Sequence, residues 1–413
     1  MLFLIKMALR NMSRQKRRNI FTALVITIAL FIYLVFDSIM VGMDKTSFEN
    51  IIDFETGHIQ VTHQQFWEEK DELPLDYLIS WEENLKQNIE EIEKVQSISP
   101  ELRFSATLNN GVNEIPVIGL GVNPQQYEQV FQTTDYIIEG EMFASGEYQV
   151  LLGKDLADLM QLGVGDYMTL LVKTKEGTFN TIDATISGLM ITPHPMVNNS
   201  TVLVPLDIAQ QALNAENEIT QIVLRNGQRE KSPKVATEIT QQLQQQNASL
   251  RAYPWQEAAA SVVGVSQMKR KGNRVILGII LLIAAVGILN TVVLSSLERT
   301  EEIGMMKAMG MKEGEIVTVF VAEATGIGIL GSIAGCLLGA IGVGILANVG
   351  IDTSLWGDMS DYNIPILGKL YSSWNPSAFV FMFAFSVLIA MIASFWPAYT
   401  AARKDPVKAI YYR

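Results

Sequence analysis

Histidine, cysteine and carboxylate side chains are the groups of this 413-residue chain that could hold a metal ion or carry out acid–base chemistry. The histidines are His58, His63 and His194, and the one cysteine is Cys336. A zinc site needs several converging ligands, and the sequence has neither an H-E-x-x-H motif nor a second cysteine. No carboxylate pair stands out from the general acidity as an acid/base pair. The sequence therefore predicts no metal site and no catalytic residue.

The motifs that activate a serine or bind a nucleotide are missing as well. No G-x-S-x-G sequence occurs, so a nucleophile elbow is unsupported. The Gly-Lys pairs are Gly153-Lys154 and Gly368-Lys369. Neither pair has the earlier glycine and the following Ser or Thr of a phosphate-binding loop. If the protein uses ATP, we therefore expect another chain to bind it.

One short segment, 298–310, combines charged and apolar residues and reads ERTEEIGMMKAMG. Ile303 and Met306 would share one side of a helix, so a short helix here would offer a mixed surface to a partner. Gly304 and Gly310 would limit the length of that helix or allow another chain to approach closely. The alternative is a solvated loop.

Four apolar stretches are long enough to cross a bilayer, which takes about 20 residues. They predict spans at 20–41, 275–297, 316–347 and 377–398. Glu323 interrupts the third stretch, and we expect it to have a structural role facing protein or water. The first stretch is longer than the apolar core of a signal peptide, and no small-residue cleavage site follows it. We therefore expect an uncleaved anchor.

A polar block, 44–273, separates the first two spans and holds most of the acidic residues. The net charge of the chain is −12, which argues against nucleic-acid binding. Alternating apolar residues predict strands, and helical spacing predicts helices, so the block is expected to be an α+β domain. The predicted strands are 57–61, 167–172, 181–187, 201–204 and 219–224, and the predicted helices are 81–95, 154–162 and 233–246.

Lys and Arg predict the orientation in the membrane. They are concentrated in the segment 1–19 and in the tail 399–413, whereas the loop 348–376 has only Lys369. Because positive flanks favour the cytoplasm, we expect both termini inside and the polar block outside. Apolar and basic residues of 1–19 separate onto two faces, as in an interfacial helix, although a plain basic flank is the alternative. The basic cluster 269–271 disagrees, and we expect it to meet lipid headgroups or to extend the second span as a helix.

The segment 298–310 resembles the signature loop of MacB/FtsX-type ABC transporter permeases, in the pattern E-R-T-x-E-I-G-x-x-K-A-x-G. The C-terminal run 397–410, P-A-x-x-A-A-R-x-D-P-V-x-A-I, and the run 8–11, A-L-R-N, resemble the same family. The layout of one span, a large outer domain and three further spans is also similar and covers essentially the whole chain. The absence of a fused ATPase domain differs from MacB. The size and the stretch 57–61 look like the LolC/LolE-type lipoprotein-releasing permeases.

The resemblance implies that two permease chains pair, as a homodimer or a heterodimer, and that each works with an ATPase subunit that binds ATP and Mg. The segment 298–315 would then be a coupling helix seated on the ATPase. The coupling residues would be Glu298, Arg299, Thr300, Glu302, Ile303, Gly304, Met306, Lys307, Ala308 and Gly310. Arg299, Glu302 and Lys307 would supply charged contacts, and Ile303 and Met306 apolar ones. The chain itself would carry no cofactor and transmit motion without catalysis.

Two further sets of residues follow for the spans. Gly331, Gly335 and Gly339 form a G-x-x-x-G repeat in the third span, which we expect to pack against spans two and four or to slide during the stroke. By analogy with the lipoprotein-releasing relatives, the outer halves of spans one and two would line a substrate cavity between the paired subunits. The candidate cavity residues are Phe31, Val35, Phe36 and Ile279, with ordinary lipid-facing or packing roles as the alternative.

Three functions are compatible with this resemblance. The first is extraction of lipoproteins from the inner (cytoplasmic) membrane, with delivery to a periplasmic carrier. The second is MacB-like efflux of a peptide or a small hydrophobic compound. The third is FtsX-like activation of an extracytoplasmic cell-wall hydrolase, which the large outer domain makes less fitting. Membrane lipids are expected partners in each case, and nucleic acid in none.

Overall fold

The computed structural model describes residues 7–8, 10, 16–92, 94–244, 247–298, 300–352 and 368–403. In chain order the helices are α1 Lys16–Ile51, α2 Gln64–Glu68, α3 Glu83–Glu90, α4 Pro124–Phe131, α5 Lys154–Met160, α6 Pro195–Ser200, α7 Leu206–Leu213, α8 Ser232–Leu243, α9 Trp255–Ala258, α10 Ala260–Glu298, α11 Thr300–Ala308, α12 Glu313–Val349 and α13 Pro376–Ala402. The strands are β1 Ile59–His63, β2 Ile79–Ser80, β3 Val95–Asn109, β4 Glu114–Val122, β5 Ile137–Gly140, β6 Gln149–Gly153, β7 Tyr167–Lys173, β8 Phe179–Met190, β9 Thr201–Pro205, β10 Glu218–Ile219, β11 Gln221–Asn226, β12 Leu250–Pro254, β13 Ile351–Asp352 and β14 Lys369–Leu370.

The chain divides into two compact units. The helical unit consists of 1–45, 265–351 and 370–413, and the sheet unit consists of 46–264 and 352–369. Most of the predicted interfacial segment 1–19, the centre of the loop 348–376 and most of the tail 399–413 lie outside the described residues.

Membrane-type helices dominate the helical unit. Among the described residues, three helices are long and apolar enough to cross a bilayer, at Asn19–Thr56, Glu313–Val349 and Pro376–Ala402. The predicted second span, 275–297, lies within the 39-residue helix α10, which is not among these three. The count of four spans therefore stays a prediction. The basic cluster 269–271 lies on α10. This agrees with the expectation that the cluster extends the predicted second span as a helix.

The glycines of α12 bring that helix close to α1. A Cβ atom added at Gly331 would lie 2.8 Å from the carbonyl oxygen of Ala23, and one at Gly335 would lie 2.7 Å from the Cβ of Leu30. A Cβ at Gly339 would lie 2.8 Å from a methyl group of Leu34. The expectation that these three glycines pack against spans two and four was wrong, because they contact the first span.

The contact between α12 and α13 contains a small residue and a polar pair. A Cβ at Gly328 would lie 2.7 Å from the Cβ of Ala390. The hydroxyls of Ser332 and Ser386 are 2.6 Å apart and both residues are buried. Ser332 also donates to the carbonyl of Gly328 in its own helix. Such small and hydroxyl-bearing residues are typical of helix contacts in lipid, where apolar burial alone does not favour association.

Ten strands of the sheet unit form one mixed sheet. The order is β12-β1-β11-β3-β4-β9-β6-β8-β5, and β7 pairs with β3 and β8. The pairs β4–β9 and β6–β8 are parallel, and the other strand pairs of this sheet are antiparallel. Both faces of the sheet carry apolar residues. One face packs against α5, α7 and α8, and the other face packs against α4. The expected α+β domain is therefore present.

Candidate functional site

Helix α11 covers the central part of the predicted coupling segment and ends at a glycine. Gly310 has a φ of +93°, a left-handed conformation that other residues adopt only at a cost. Its N–H donates to the carbonyl of Lys307 at 2.9 Å, and the N–H of Met311 donates to the carbonyl of Met306 at 3.0 Å. These two bonds form a Schellman motif, which satisfies the last carbonyls of a helix. Gly310 therefore acts as the helix terminator, and the space around it is open.

One face of α11 is buried within the chain itself. Ile303 is 1% exposed and Met306 is 7% exposed. They belong to an apolar cluster that includes Ile316, Val317 and Phe320 of α12 and Ala398, Ala401 and Ala402 of α13. Gly304 is also buried. The expectation that Ile303 and Met306 supply apolar contacts to a partner was therefore wrong, because α12 and α13 already cover both side chains.

The opposite face of α11 is open and apolar. Met305 is 52% exposed and Met309, just after the helix, is 77% exposed, while Glu302 and Ala308 are exposed beside them. Met305 and Met309 were missed from the sequence, although their four-residue spacing places them together on a helix surface. Methionine is adaptable and is common at protein-binding surfaces. We call Glu302, Met305, Ala308 and Met309 the α11 outer face.

The link from α11 to α12 is held by local polar contacts. The ammonium of Lys307 lies 3.3 Å from a carboxylate oxygen of Glu313. The backbone N–H of Lys312 donates to the carboxylate of Glu315 at 2.8 Å, which caps the start of α12. Lys307 thus contacts its own chain. Of the remaining predicted coupling residues, Arg299 and the side chains of Glu298 and Thr300 lie outside the described residues.

A cavity of about 740 Å³ lies among α1, α10 and α13 in the helical unit. Its walls are apolar on all three helices, and the residues that carry this character are Tyr33, Met40, Val41, Leu277, Phe381 and Phe385. Its rim is charged, with Asp37, Asp44, Lys269 and Arg270. The Arg270 guanidinium lies 3.1 Å from the buried Asp44 carboxylate. The cavity therefore joins an apolar interior to a charged rim.

The predicted cavity residues do not line this cavity. A Cβ added at Gly342 would lie 3.0 Å from both Phe31 and Val35, so these two side chains pack on α12. Phe36 and Ile279 are exposed on other faces of α1 and α10. The cavity face of α1 instead carries Tyr33, with Asp37, Met40 and Asp44 at helical spacing along it.

Comparisons with known proteins bear on both units. The model of the FtsX-like permease C-terminal domain matches residues 274–406, and the model of the MacB-like periplasmic core domain matches residues 20–242. The lipoprotein-releasing system transmembrane protein LolC of Xylella fastidiosa is 23% identical over 333 residues, covering 77% of this chain and 78% of that protein.

Other relatives carry different names. The macrolide export ATP-binding/permease protein MacB of Shewanella sp. strain ANA-3 is 22% identical over 440 aligned residues, covering 98% of this chain and 60% of that protein. Among solved structures, the periplasmic region of MacB from Actinobacillus actinomycetemcomitans matches with a TM-score of 0.37 and 11% identity. That match covers 54% of this chain and 96% of the solved one.

Proposed function

Because the chain belongs to the family of ABC transporter permeases with a MacB-like periplasmic core domain and an FtsX-like C-terminal domain, we propose that α11 receives ATP-driven motion from a separate ATPase subunit. The observation that carries this proposal is that one face of α11 is buried in the chain while the other is exposed. Its inner face is packed into α12 and α13, and its outer face exposes two methionines. A partner that moves the outer face must therefore move both long helices with it.

The packing of the long helices supports a route for that motion. Displacing α12 against α1 is resisted by the glycine contacts at Gly331, Gly335 and Gly339, since backbone and side-chain atoms already touch there. Packed helices of this kind move as bodies, because closely packed interiors do not deform continuously. Motion at α11 would reach α1 through α12, and the sheet unit follows α1 along the chain. The chain itself would bind neither ATP nor Mg, which the ATPase would hold.

We further propose that the transporter extracts lipoproteins from the inner membrane. The cavity supports this cargo, because its apolar walls suit acyl chains and its charged rim suits the polar polypeptide that follows them. The similarity to LolC, which extends over most of both chains, supports it as well. A second permease chain, either identical or different, would complete the transporter, and a periplasmic carrier would receive the lipoprotein.

The proposed orientation places α11, both termini and the ATPase in the cytoplasm of a cell whose inner membrane holds the helical unit. The basic residues of 1–19 and 399–413 support this orientation by the positive-inside rule. The sheet unit would then face the periplasm, in agreement with the MacB-like periplasmic core domain that it matches.

The test of the coupling role replaces exposed methionines on α11. We expect the double variant Met305→Glu, Met309→Glu, purified from the native membrane, to lose its ATPase subunit and its stimulated ATP hydrolysis. Two methionine contacts are worth about 3 kcal/mol on burial, which corresponds to about a hundredfold in affinity. The matched control is Met268→Glu, because Met268 is 74% exposed on α10 and lies outside this surface.

One result tests the α11 contact and another separates the possible cargoes. Retention of the ATPase by the double variant at the level of the control would contradict the assignment of α11 as the contact. The identity of any other co-purifying protein separates the alternatives for the cargo: a carrier-like lipoprotein fits lipoprotein release, a membrane-fusion protein fits efflux, and a cell-wall hydrolase fits the regulatory role.

A further inference from the structure

The centre of the sheet carries polar side chains on one of its faces. Gln221 on β11 lies directly opposite Glu101 on β3, and its amide donates to the Glu101 carboxylate at 2.7 Å. Arg103 is two residues further along β3, and Gln60 on the neighbouring strand β1 lies opposite Val223. Gln60, Glu101 and Gln221 are all less than 9% exposed. Central strands of a covered sheet normally bury apolar side chains on both faces, so this polar floor needs a reason.

A cavity of about 510 Å³ lies over this floor, within the sheet unit. Gln60, Arg103 and Gln221 of the sheet line it. The other charged residues of the lining are Glu55, Lys70 and Asp71. The ammonium of Lys70 is fixed in place by the carbonyl of Ala258 at 3.3 Å, and it lies 4.1 Å from the ring centre of Trp67. The cavity is within the usual size range of small-molecule sites, and groups of both charges enter it.

Several buried polar atoms of the neighbouring sheet and loop residues have no hydrogen-bond partner in the described part of the chain. They are Oε1 of Glu101, Nε of Arg103 and Nδ1 of His194. A buried polar atom without a partner destabilises the fold, so three of them close together call for a further reason. Glu101 and His194 line a small chamber, about 20 Å³, that shares Glu55 and Arg103 with the larger cavity.

The charges of the site form a divided pattern. Glu55 contacts His194, with 3.0 Å between Oε2 and Nε2, and Glu101 lies in the same inner chamber. Arg103 and Lys70 supply positive charge in the outer cavity, and Gln60 and Gln221 supply amide donors and acceptors beside them. Arginine is suited to a planar carboxylate, which it can bind through two parallel hydrogen bonds.

We propose that this cavity binds a zwitterionic ligand of the size of an amino acid or a short peptide, with its carboxylate on Arg103 and Lys70 and its ammonium on Glu55. The two glutamines then hydrogen-bond the amide groups of the ligand. Such a ligand pairs with the positive and the negative side chains of the lining together, which a purely anionic or purely cationic ligand does not. The site lies entirely in the sheet unit and does not depend on the coupling role of α11.

The test measures binding to the full chain in lipid nanodiscs without any ATPase. The probes are the twenty free amino acids and the alanyl dipeptides made from them, screened by thermal shift and followed by calorimetry. For each binder, the N-acetylated and the C-amidated derivatives are measured as well. We expect both blocked derivatives to bind at least tenfold more weakly, because each lacks one of the two charges.

Variants assign the charges to residues. We expect Arg103→Gln and Lys70→Gln each to weaken the free ligand at least tenfold and to bring it level with its amidated derivative. Lys94→Gln is the matched control, because Lys94 pairs with Glu238 on the surface, outside the cavity. The proposal is overturned if no probe binds the wild-type chain, in which case the buried atoms hold water only. It is overturned equally if the blocked derivatives bind as tightly as the free ligand.

Discussion

Burial controls how Glu101 and His58 bind protons. Burial raises the pKa of Glu101 to about 7, although the charge of Arg103 and the hydrogen bond from Gln221 act in the opposite direction. Burial, together with the nearby charges of Arg225 and Arg229, lowers the pKa of His58 to about 4. The groups that face Glu101 include Tyr127 of α4, whose pKa burial also raises.

The pKa of Glu101 predicts a pH-dependent stability. The folded chain holds its proton more tightly than the unfolded chain, so the free energy of unfolding falls as pH rises from about 4.5 to about 7. The full effect is about 3 kcal/mol, at 1.36 kcal/mol per pKa unit. His58 acts in the opposite direction, since its depressed pKa adds stability as pH rises from about 4 to about 6.5.

We expect Glu101→Gln to remove the Glu101 contribution alone. Compared with the wild-type chain, the variant should gain stability steadily between pH 4.5 and pH 7, measured as the difference in thermal unfolding of the sheet unit within the full chain. The His58 contribution is common to both chains and cancels in that difference. Unfolding profiles that stay parallel across this pH range would show that Glu101 titrates normally.

The exposure of Met305 and Met309 could not be predicted from the sequence. Helical periodicity groups Ile303 with Met306 and Met305 with Met309 equally well. Which pair faces a partner depends on where α12 and α13 pack against α11. The spacing of residues within the segment 298–310 does not predict that packing. The terminating role of Gly310, in contrast, follows from local chemistry, and the sequence alone suggested it.

Whole elements differ in how well the sequence predicted them. The long apolar helices α1, α12 and α13 were predicted because their composition is distinctive over many residues. The strands β3 and β4 were missed, and the helix expected at 81–95 is shorter, ending at Glu90 before β3 begins. Part of the reason is that Glu101 and Arg103 interrupt the apolar character of a central strand, and Arg103 belongs to the proposed ligand site.

The contact between α12 and α1 predicts an effect of adding a single methyl group. We expect Gly335→Ala to lower the unfolding temperature of the helical unit, because the new Cβ would lie 2.7 Å from Leu30 and 3.1 Å from the carbonyl of Thr27. Overpacking of this kind costs about 1–3 kcal/mol. Gly344→Ala is the control on the same helix, since its nearest neighbour, Trp374, is 3.7 Å away. Equal unfolding temperatures for the two variants would contradict the close approach.

For the molecule as a whole, the cavity predicts where cargo is found. We expect a photocrosslinker at Val41 or Phe381, both on the cavity wall, to capture a lipoprotein in cells, because acyl chains would lie against these positions. Crosslinkers at Phe31 and Ile279 serve as controls on the same membrane helices outside the cavity. Capture is read by mass spectrometry of the adduct. Preferential capture at Phe31 and Ile279 would place the cargo elsewhere, and capture of a peptide without lipid would favour efflux.

The family could be predicted from the whole sequence, whereas the sites could not. The motif at 298–310 and the order of apolar and polar blocks are linear features, so they survive without any knowledge of the fold. The sequence pointed to Phe31, Val35 and Phe36 for a cavity between paired subunits, which stays a prediction, whereas the cavity within the chain is lined on α1 by Tyr33 and the residues in register with it. Which face of α1 lines the cavity depends on how α1 packs with α10 and α13, and these helices are far apart along the chain.

The division of α11 into a buried face and an open one separates stability from recognition. Ile303 and Met306 maintain the fold whatever motor protein is present, so the α11 outer face is free to diverge between paralogous transporters of one cell. If the α11 outer face is the ATPase contact proposed above, exchanging Glu302, Met305, Ala308 and Met309 as a set would redirect a permease to another motor while leaving its membrane architecture intact.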